Sequence, residues 1–325
     1  MQARTETATW NGVSDGTCRH VTRERSRVLT RGCAETRSSQ LGERLGAYEL
    51  LALLGEGGMA QVFLGEHAIM GRRVAIKQLA PALAPFPEAH RLFLREARVT
   101  ASIRHSSIID VYDFGQGGDG RPYYVMELAA GESLARRLVR GPLLTAQCFD
   151  TAIVLADAVA TIHDAGYVHR DIKSDNVMLV RDGRRLVPKL IDFGIARRLA
   201  PDPDDPDPSE GVVGTLRTMA PEQITLDTID QRTDVWALGV LAYEMITAHL
   251  PFGDRGSSRD EMLAIVTEPP RPLPDHVDGG LREIILACLA KDPAERPASA
   301  DDLAERLREA QAAYVARRGF APRAA

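Results

Sequence analysis

The sequence changes from a strand-like to a helix-like pattern near residue 130, and this change constrains the fold most strongly. Between residues 48 and 128, short apolar segments and glycine-containing turns predict five strands and one helix. The strands are Tyr48–Leu54, Gln61–Glu66, Arg73–Leu79, Ile108–Phe114 and Tyr123–Leu128, and the helix is Arg91–Ile103. After Gly131 helical spacing dominates. A strand-rich half followed by a helix-rich half predicts an α+β protein of two lobes, joined near Glu127–Gly131.

The helix-rich half contains four long helical segments, and the two ends of the chain differ from it in composition. The predicted helices are Thr145–Ala165, Thr233–Thr247, Leu281–Ala290 and Leu303–Arg318, with Thr145 and Thr233 as expected N-caps. Residues 1–46 are polar and aperiodic, which predicts a disordered N-terminal extension. The proline-rich and acidic segment Pro201–Glu210 predicts an extended loop.

Two motifs in the second half carry most of the chemical information. The first runs from His169 to Asn176 with the sequence HRDIKSDN, and it follows a long predicted helix. The second, Asp192-Phe193-Gly194, begins sixteen residues after Asn176. Phosphoryl transfer needs hard oxygen ligands for Mg²⁺, a carboxylate that orients the attacking hydroxyl, and a cation near the transferred phosphate. Asn176 and Asp192 can supply the oxygen ligands, Asp171 the carboxylate, and Lys173 the cation.

The first half supplies a glycine-rich turn and a lysine on a strand. The turn, Gly55–Val62 with the sequence GEGGMAQV, lies between two predicted strands, where backbone amides can approach phosphates. No helix follows it and no Gly-Lys-Ser/Thr ends it, so it is neither a Rossmann nor a Walker loop. Lys77 ends the segment Val-Ala-Ile-Lys, and a half-buried lysine there needs a carboxylate partner. Glu96, in the predicted helix, is the natural candidate.

These motifs together resemble the eukaryotic-type serine/threonine protein kinases, in particular their bacterial members, over about residues 48–312. The resemblance implies a two-lobed kinase fold with a five-stranded antiparallel sheet and one helix at about 48–127. A mainly helical lobe follows at about 131–312, and 313–325 is a C-terminal tail. It implies ATP-binding roles for Leu54, Gly55, Gly57, Val62, Ala75, Lys77, Glu96, Met126, Glu127 and Ala129, the last two through their backbone.

The same resemblance assigns the catalytic and activation-segment residues. Asp171 is expected to be the catalytic base, Lys173 the γ-phosphate contact, and Asn176 and Asp192 the metal ligands. Thr215 is expected to bond both Asp171 and Lys173. Four further residues have expected structural roles: Glu222 pairs with Arg296, Asp234 holds the catalytic-loop backbone, and His169 packs beneath the phenylalanine of the second motif.

Three positions depart from the family pattern. Ala60 replaces the third glycine of the phosphate loop, and Thr218 stands where a tyrosine is usual. Pro201–Glu210 replaces the usual Ser/Thr cluster of the activation segment, and one hypothesis is that an acidic side chain there substitutes for a phosphate against Arg170 or Arg197.

Composition limits the compartment and the partners. A net charge of −5 does not favour a nucleic-acid partner, and four widely separated cysteines favour the reducing cytoplasm over a disulfide framework. The apolar segments are too short for a membrane span. We therefore expect a cytoplasmic enzyme that uses ATP and Mg²⁺, with Mn²⁺ as an alternative, on protein serine or threonine. A pseudokinase-type binding module and a small-molecule phosphotransferase of similar fold are the alternatives; the oligomeric state is open.

Overall fold

The first half of the chain forms one antiparallel sheet with a helix packed against it. The computed structural model describes residues 42–319, except 184, 194–196, 199–214 and 254–255, and it describes only the backbone of 197–198. The chain divides into two units, Met1–Glu43 and Arg44–Ala325, and every element below belongs to the second. The acidic segment Pro201–Glu210 and Gly194 therefore lie outside the described residues.

The main sheet has six strands in the order β1-β2-β3-β4-β6-β5. They are β1 Arg44–Leu45, β2 Tyr48–Glu56, β3 Ala60–His67, β4 Arg73–Leu79, β5 Val111–Gln116 and β6 Pro122–Met126. All five predicted strands are present, with ends displaced by a few residues. Strand β1 was not predicted. It lies within the N-terminal extension, which was expected to reach residue 46, so that extension is shorter than expected. Two residues are too short to show a period; they fold back onto β2 through Gly46, whose φ is 59°.

Helix α1, Pro87–Ser102, covers one face of this sheet and begins four residues before the predicted start. Pro87 occupies the first turn, where its missing N–H costs nothing, and Glu88 complements the helix N-terminus. The buried face includes Phe93, Ala97 and the charged Glu96. A carboxylate on a buried face requires a partner, and the sheet beneath supplies it.

The second half is mainly helical, as predicted. Its helices are α2 Leu134–Leu138, α3 Thr145–Asp164, α4 Pro221–Thr225, α5 Arg232–Thr247, α6 Ser258–Thr267, α7 Gly279–Cys288 and α8 Ala300–Arg317. Helices α2, α4 and α6 were not predicted. The N-cap predictions were wrong, because Leu144 and Gln231 precede α3 and α5. The Thr233 hydroxyl instead donates to Glu222 Oε1 at 2.8 Å.

Two small sheets, neither of them predicted, frame the loops of the second half. Strands β7 Gly131–Ser133, β9 Val177–Asp182 and β10 Arg185–Leu190 form one, and β8 Tyr167–Val168 pairs with β11 Arg197–Arg198. A Cβ at Gly131 would lie 2.0 Å from the Leu179 carbonyl oxygen, so this pairing requires glycine. Strand β10 leads directly to Asp192, and β8 leads to His169.

Helices α3 and α8 differ from expectation in informative ways. Helix α8 continues to Arg317, and Tyr314 packs against Phe149 with ring centroids 5.8 Å apart, so the expected tail from residue 313 begins inside the domain. Among the described residues, α3 is long and apolar enough to cross a membrane, but 56% of its most apolar stretch is buried within the protein. Its apolar residues belong to the core of the helical half.

Candidate active site

Lys77, Glu96 and Asp192 meet in the space between the two halves. Lys77 Nζ donates to Glu96 Oε1 at 2.6 Å and to Asp192 Oδ1 at 3.0 Å. The predicted pairing of the strand lysine with the helix glutamate is therefore present. Lys77 comes from β4, Glu96 from α1, and Asp192 from the segment after β10, so three distant parts of the sequence contribute one charged cluster.

Burial sets the electrostatics of this cluster. The pKa of Glu96 is raised, mainly because burial disfavours its charged form, while the Lys77 ammonium opposes that shift. Burial acts to lower the pKa of Lys77, but the negative charges of Glu96 and Asp192 outweigh it and hold that pKa well above its usual value. The lysine therefore stays cationic in a site almost closed to water.

The loop after β8 is held from below by Asp234. The backbone N–H groups of His169 and Arg170 donate to its two carboxylate oxygens at 2.7 and 2.8 Å, and His163 Nε2 lies 2.8 Å from Oδ2. These bonds fix Arg170 at φ 66°, a left-handed conformation that is costly for an arginine. The expected contact between Asp234 and the loop backbone is present, and His169 packs against Phe193 with ring centroids 4.9 Å apart.

Asp171 is the centre of a second cluster. Its Oδ2 accepts Lys173 Nζ at 2.7 Å and Asn176 Nδ2 at 3.1 Å, and its Oδ1 accepts the Thr215 N–H at 3.1 Å. Lys173 Nζ also donates to Thr215 Oγ1. Both predicted contacts of Thr215 are therefore present. Its neighbour Thr218 bonds locally, through Oγ1 to the Thr215 carbonyl at 3.1 Å.

Asn176 and Asp192 are joined through the backbone of neighbouring residues. The Ile191 N–H donates to the Asn176 carbonyl at 3.0 Å, one residue before Asp192. Because the Asn176 amide nitrogen faces Asp171, its side-chain oxygen remains as the acceptor and possible ligand. The described residues contain no group of three or more His, Cys, Asp and Glu side chains suited to a metal. One carboxylate and one amide oxygen are ligand types that a hard divalent cation takes.

The apolar residues among those expected to bind ATP lie mostly at one apolar cluster. Ala75 and Met126 belong to the cluster that α1 forms with the main sheet, and Val62 and Ala129 pack against it. Leu54 is 52% exposed at the end of β2 and lies outside it. Gly55 and Gly57 are both exposed. Gly55 lies near the end of β2, opposite Val62 of β3, and Gly57 lies in the turn that follows, where its N–H donates to the Ala60 carbonyl at 2.9 Å.

The backbone of Glu127 is already partly used. Its N–H donates to the Asp110 carbonyl at 2.8 Å, so a bond from this residue to a base must use its carbonyl oxygen. Its side chain pairs with Lys189 at 2.7 Å, a contact that the sequence analysis missed. Lys189 is one of four lysines in the chain, and that rarity was an available signal.

An ion pair below the active site anchors the segment that follows Thr215. Arg296 Nη1 and Nη2 each donate to one oxygen of Glu222 at 2.8 Å, and both side chains are almost fully buried. This predicted pair is present. Gln223 was missed: its amide nitrogen donates to the Arg170 carbonyl at 3.2 Å, and its oxygen accepts the Ala220 N–H. The start of α4 is thereby tied to the Asp171 loop.

Comparison with known proteins agrees with this arrangement. Residues 48–307 match the protein kinase domain. Serine/threonine-protein kinase Pkn1 of Myxococcus xanthus is 38% identical over 285 residues, which cover 86% of this chain and 40% of that protein. Pkn2 of the same organism is 36% identical, with 83% and 33% covered. Serine/threonine-protein kinase PknA of Mycobacterium tuberculosis is 37% identical, with 80% and 60% covered. The matched region thus spans 33% to 60% of these relatives' lengths.

Proposed function

The chain belongs to the protein kinase domain family, and from that premise we propose that it is a serine/threonine protein kinase that uses ATP and Mg²⁺. The observation that carries the proposal is a pair of charged clusters linked through the backbone, where the Ile191 N–H donates to the Asn176 carbonyl at 3.0 Å. One holds the buried cation Lys77 with Glu96 and Asp192, and the other holds Asp171 with Lys173 and Thr215. A nucleotide bound against the first would present its terminal phosphate toward the second.

Each side chain has a role that its contacts support. Lys77 would neutralise the α- and β-phosphates, while Glu96 keeps the ammonium in place. Asp171 would accept the proton of the acceptor hydroxyl. The hydroxyl oxygen would then bond to the γ-phosphorus, while the bond between the γ-phosphorus and the bridging oxygen of the β-phosphate breaks. Lys173, which contacts both Asp171 and Thr215, would stabilise the charge on the transferred group.

The donor set at Asn176 and Asp192 fits a hard divalent cation. One carboxylate and one amide oxygen are the ligand types that Mg²⁺ takes, with phosphates and waters completing the shell. When bound, the metal would neutralise charge on the β- and γ-phosphates. Asp192 also accepts Lys77 at 3.0 Å, so the residue proposed as a metal ligand lies beside the cation proposed to bind the phosphates. Mn²⁺ fits the same oxygen donors.

Two observations favour serine or threonine on proteins as the acceptor. Lys173 stands two residues after Asp171 and bonds Thr215, as the serine/threonine pattern requires, and the relatives are named serine/threonine-protein kinases. The Glu222-anchored segment beside Asp171 supports a protein acceptor over a small molecule. None of the residues whose loss marks a pseudokinase is missing.

We also propose a cytoplasmic location. Cys148 and Cys288, the cysteines in the described part of the chain, are free and buried, and free thiols are usual in the reducing cytoplasm.

The proposal is tested by incubating the purified chain with γ-labelled ATP and a casein acceptor, with Mg²⁺ or with EDTA. We expect Mg²⁺-dependent labelling of serine and threonine. Asp192→Asn and Lys77→Met should lose most transfer while both remain folded. Lys77→Met should melt at a lower temperature than wild type, because it leaves Glu96 buried without its cation. Asp182→Asn removes the same charge from an exposed strand end and serves as the control. Activity of both active-site variants within about tenfold of wild type, which is about 1.4 kcal/mol, or labelling of tyrosine alone, would refute the proposal.

A further inference from the structure

Tyr124 contacts the Lys77–Glu96 pair, although no sequence motif pointed to it. It lies on β6, directly opposite Lys77 of β4 in the antiparallel register. Its side chain is buried, with 2% of the residue exposed, and its hydroxyl donates to Glu96 Oε1 at 2.6 Å. Because cross-strand partners face the same side of a sheet, both donors reach the same carboxylate from neighbouring strands.

One oxygen of Glu96 therefore accepts two hydrogen bonds. Lys77 Nζ and the Tyr124 hydroxyl each lie 2.6 Å from Oε1, while Oε2 is buried and has no hydrogen-bond partner among the described groups. A single donor would leave the carboxylate free to turn about its own bonds. Two donors from different strands fix the position of Oε1, and charge-assisted bonds of this length are strong ones.

The ring of Tyr124 makes a separate contact with the same helix. It packs on Phe93, which lies one turn before Glu96 in α1, with ring centroids 5.2 Å apart and planes inclined by 44°. Phenylalanine would make this ring contact equally well. The hydroxyl is what distinguishes tyrosine here, and a buried hydroxyl is tolerated because it has an acceptor.

The protonation states make Tyr124 a donor that adds no charge. Burial, together with the negative charge of Glu96, holds the pKa of Tyr124 well above its usual value, so the phenol remains protonated. Lys77 supplies the positive charge that offsets Glu96. The tyrosine hydroxyl can thus orient the carboxylate without competing with the lysine for charge.

We propose that Tyr124 is a positioning residue of the nucleotide site: its hydroxyl holds the Glu96 carboxylate, and with it helix α1, in the arrangement that keeps Lys77 aimed at the ATP phosphates. The inference rests on the proposed kinase function where it is tested by kinetics. Where it is tested by nucleotide affinity, it requires only that the chain binds ATP. It assigns to β6 a role in phosphate binding through its side chains, in addition to packing.

The kinetic test compares Tyr124→Phe with Tyr123→Phe. Tyr123 is the adjacent tyrosine, and it packs in a different apolar cluster on the other face of the sheet. Tyr124→Phe should lower kcat/KM for ATP by about tenfold or more, the size expected for losing a hydrogen bond to a charged group. KM for the casein acceptor should match the control, and the melting temperature should fall by only a few degrees, because one buried hydrogen bond is lost. If Tyr124→Phe is too unstable to assay, Tyr124→Met removes the same hydroxyl and replaces it.

The binding test asks whether Tyr124 acts through Lys77. Affinity for Mg·ATP is measured for wild type, Tyr124→Phe, Lys77→Met and the double variant. Tyr124→Phe should weaken binding in the wild-type background and have no further effect once Lys77 is gone. An equal loss in both backgrounds, or kinetics that match Tyr123→Phe, would overturn the inference. If the wild type binds nucleotide but transfers nothing, the proposed function fails and this cycle still decides the role of Tyr124.

Discussion

Asp171 and Asp234 are both carboxylates of the active-site region, but their surroundings give them different tasks. Asp171 is partly exposed, and its oxygens accept bonds from Lys173, Asn176 and the Thr215 backbone. Asp234 is fully buried and bonds the loop backbone from beneath. At the residue scale, therefore, one of them can meet a substrate and the other can only hold the structure that does.

Replacing Asp171 by asparagine should separate catalysis from nucleotide binding. We expect Asp171→Asn to lower kcat by about 10²–10⁴-fold, the usual effect of losing a positioned base. Affinity for Mg·ATP should hardly change, because the contacts of Asp171 lie within its own cluster and do not include Lys77. Single-turnover transfer and nucleotide titration measure the two quantities, with Asp182→Asn as the control. A parallel loss of nucleotide affinity would place Asp171 in the nucleotide site.

Replacing Asp234 should affect stability and its dependence on pH. Burial acts to raise the pKa of Asp234, but the hydrogen bond and charge of His163 and the loop N–H groups outweigh it, so the pKa is lowered. The carboxylate thus contributes stability at neutral pH, and this contribution is lost as the pH falls below the usual range of an aspartate. Asp234→Asn should cost about 3–5 kcal/mol at pH 7, a fall of about 5–10 °C in melting temperature.

The pH profile provides the contrast for Asp234. Between about pH 5 and pH 2 the wild type should lose more stability than Asp234→Asn, because the Asp234 carboxylate takes up a proton more readily in the unfolded than in the folded wild type, and the variant has no such group. Melting curves across that range, with Asp182→Asn measured alongside, give the comparison. Equal slopes for wild type and Asp234→Asn would mean that Asp234 does not supply the acid-sensitive part of the stability.

At the element scale, length alone did not decide what could be predicted. In the described part of the chain, the main-sheet strands β2 to β6 and the four helices of sixteen or more residues were predicted to within a few residues. Strands β9 and β10 and helix α6 were missed, although each is as long as an element that was predicted. Strand β7 has three residues and pairs with β9, more than forty positions later. Such pairing depends on tertiary contacts that no local pattern contains. Strand β1 was missed for a different reason, because its two residues are too few to show a period.

The residues of the candidate site also differ in how far the sequence could identify them. Residues within motifs, such as Asp171 and Asp192, were identifiable because their spacing along the chain is fixed by their chemistry. Tyr124 had no such signal, and the rarity of lysine could single out Lys189 but not its partner. Each of the two acts through a residue far away in sequence, Glu96 and Glu127 respectively. A pattern in one strand indicates which side chains are buried, but not which distant acceptor a buried hydroxyl will meet.

The contact of α5 with α7 depends on one glycine. A Cβ at Gly239 would lie 2.4 Å from the Cys288 Cβ, so Gly239→Ala must push the helices apart. We expect a loss of about 1–3 kcal/mol, as for other overpacked cores, seen as a lower denaturant midpoint. Gly279→Ala, in α7 itself with open space around its Cβ, should be neutral. Adding Cys288→Gly should recover part of the loss; no recovery would place the strain elsewhere.

At the scale of the whole molecule, the two halves are joined by a small number of specific bonds. The Ile109 N–H donates to the Leu190 carbonyl at 2.9 Å, and the Leu190 N–H donates to the Ser107 carbonyl at 2.9 Å. The Glu127–Lys189 and Lys77–Asp192 pairs add side-chain links. All of these links end on β10 or on the residues just after it, so this strand connects the main sheet to Asp192.

A nucleotide bound between the halves should therefore stabilise the whole molecule, and part of that stabilisation should need metal. At about 100 times its Kd, Mg·ATP should contribute about 2.7 kcal/mol, a rise of about 4–6 °C in melting temperature. With EDTA the rise should shrink, because only Lys77 and the apolar cleft remain to bind ATP. Asp192→Asn should show the same small rise in melting temperature with Mg²⁺ and with EDTA. Lys77→Met should show a smaller rise than wild type under both conditions. The control Asp182→Asn should respond as wild type does. If Mg²⁺ makes no difference to wild type, Asn176 and Asp192 do not form the metal site.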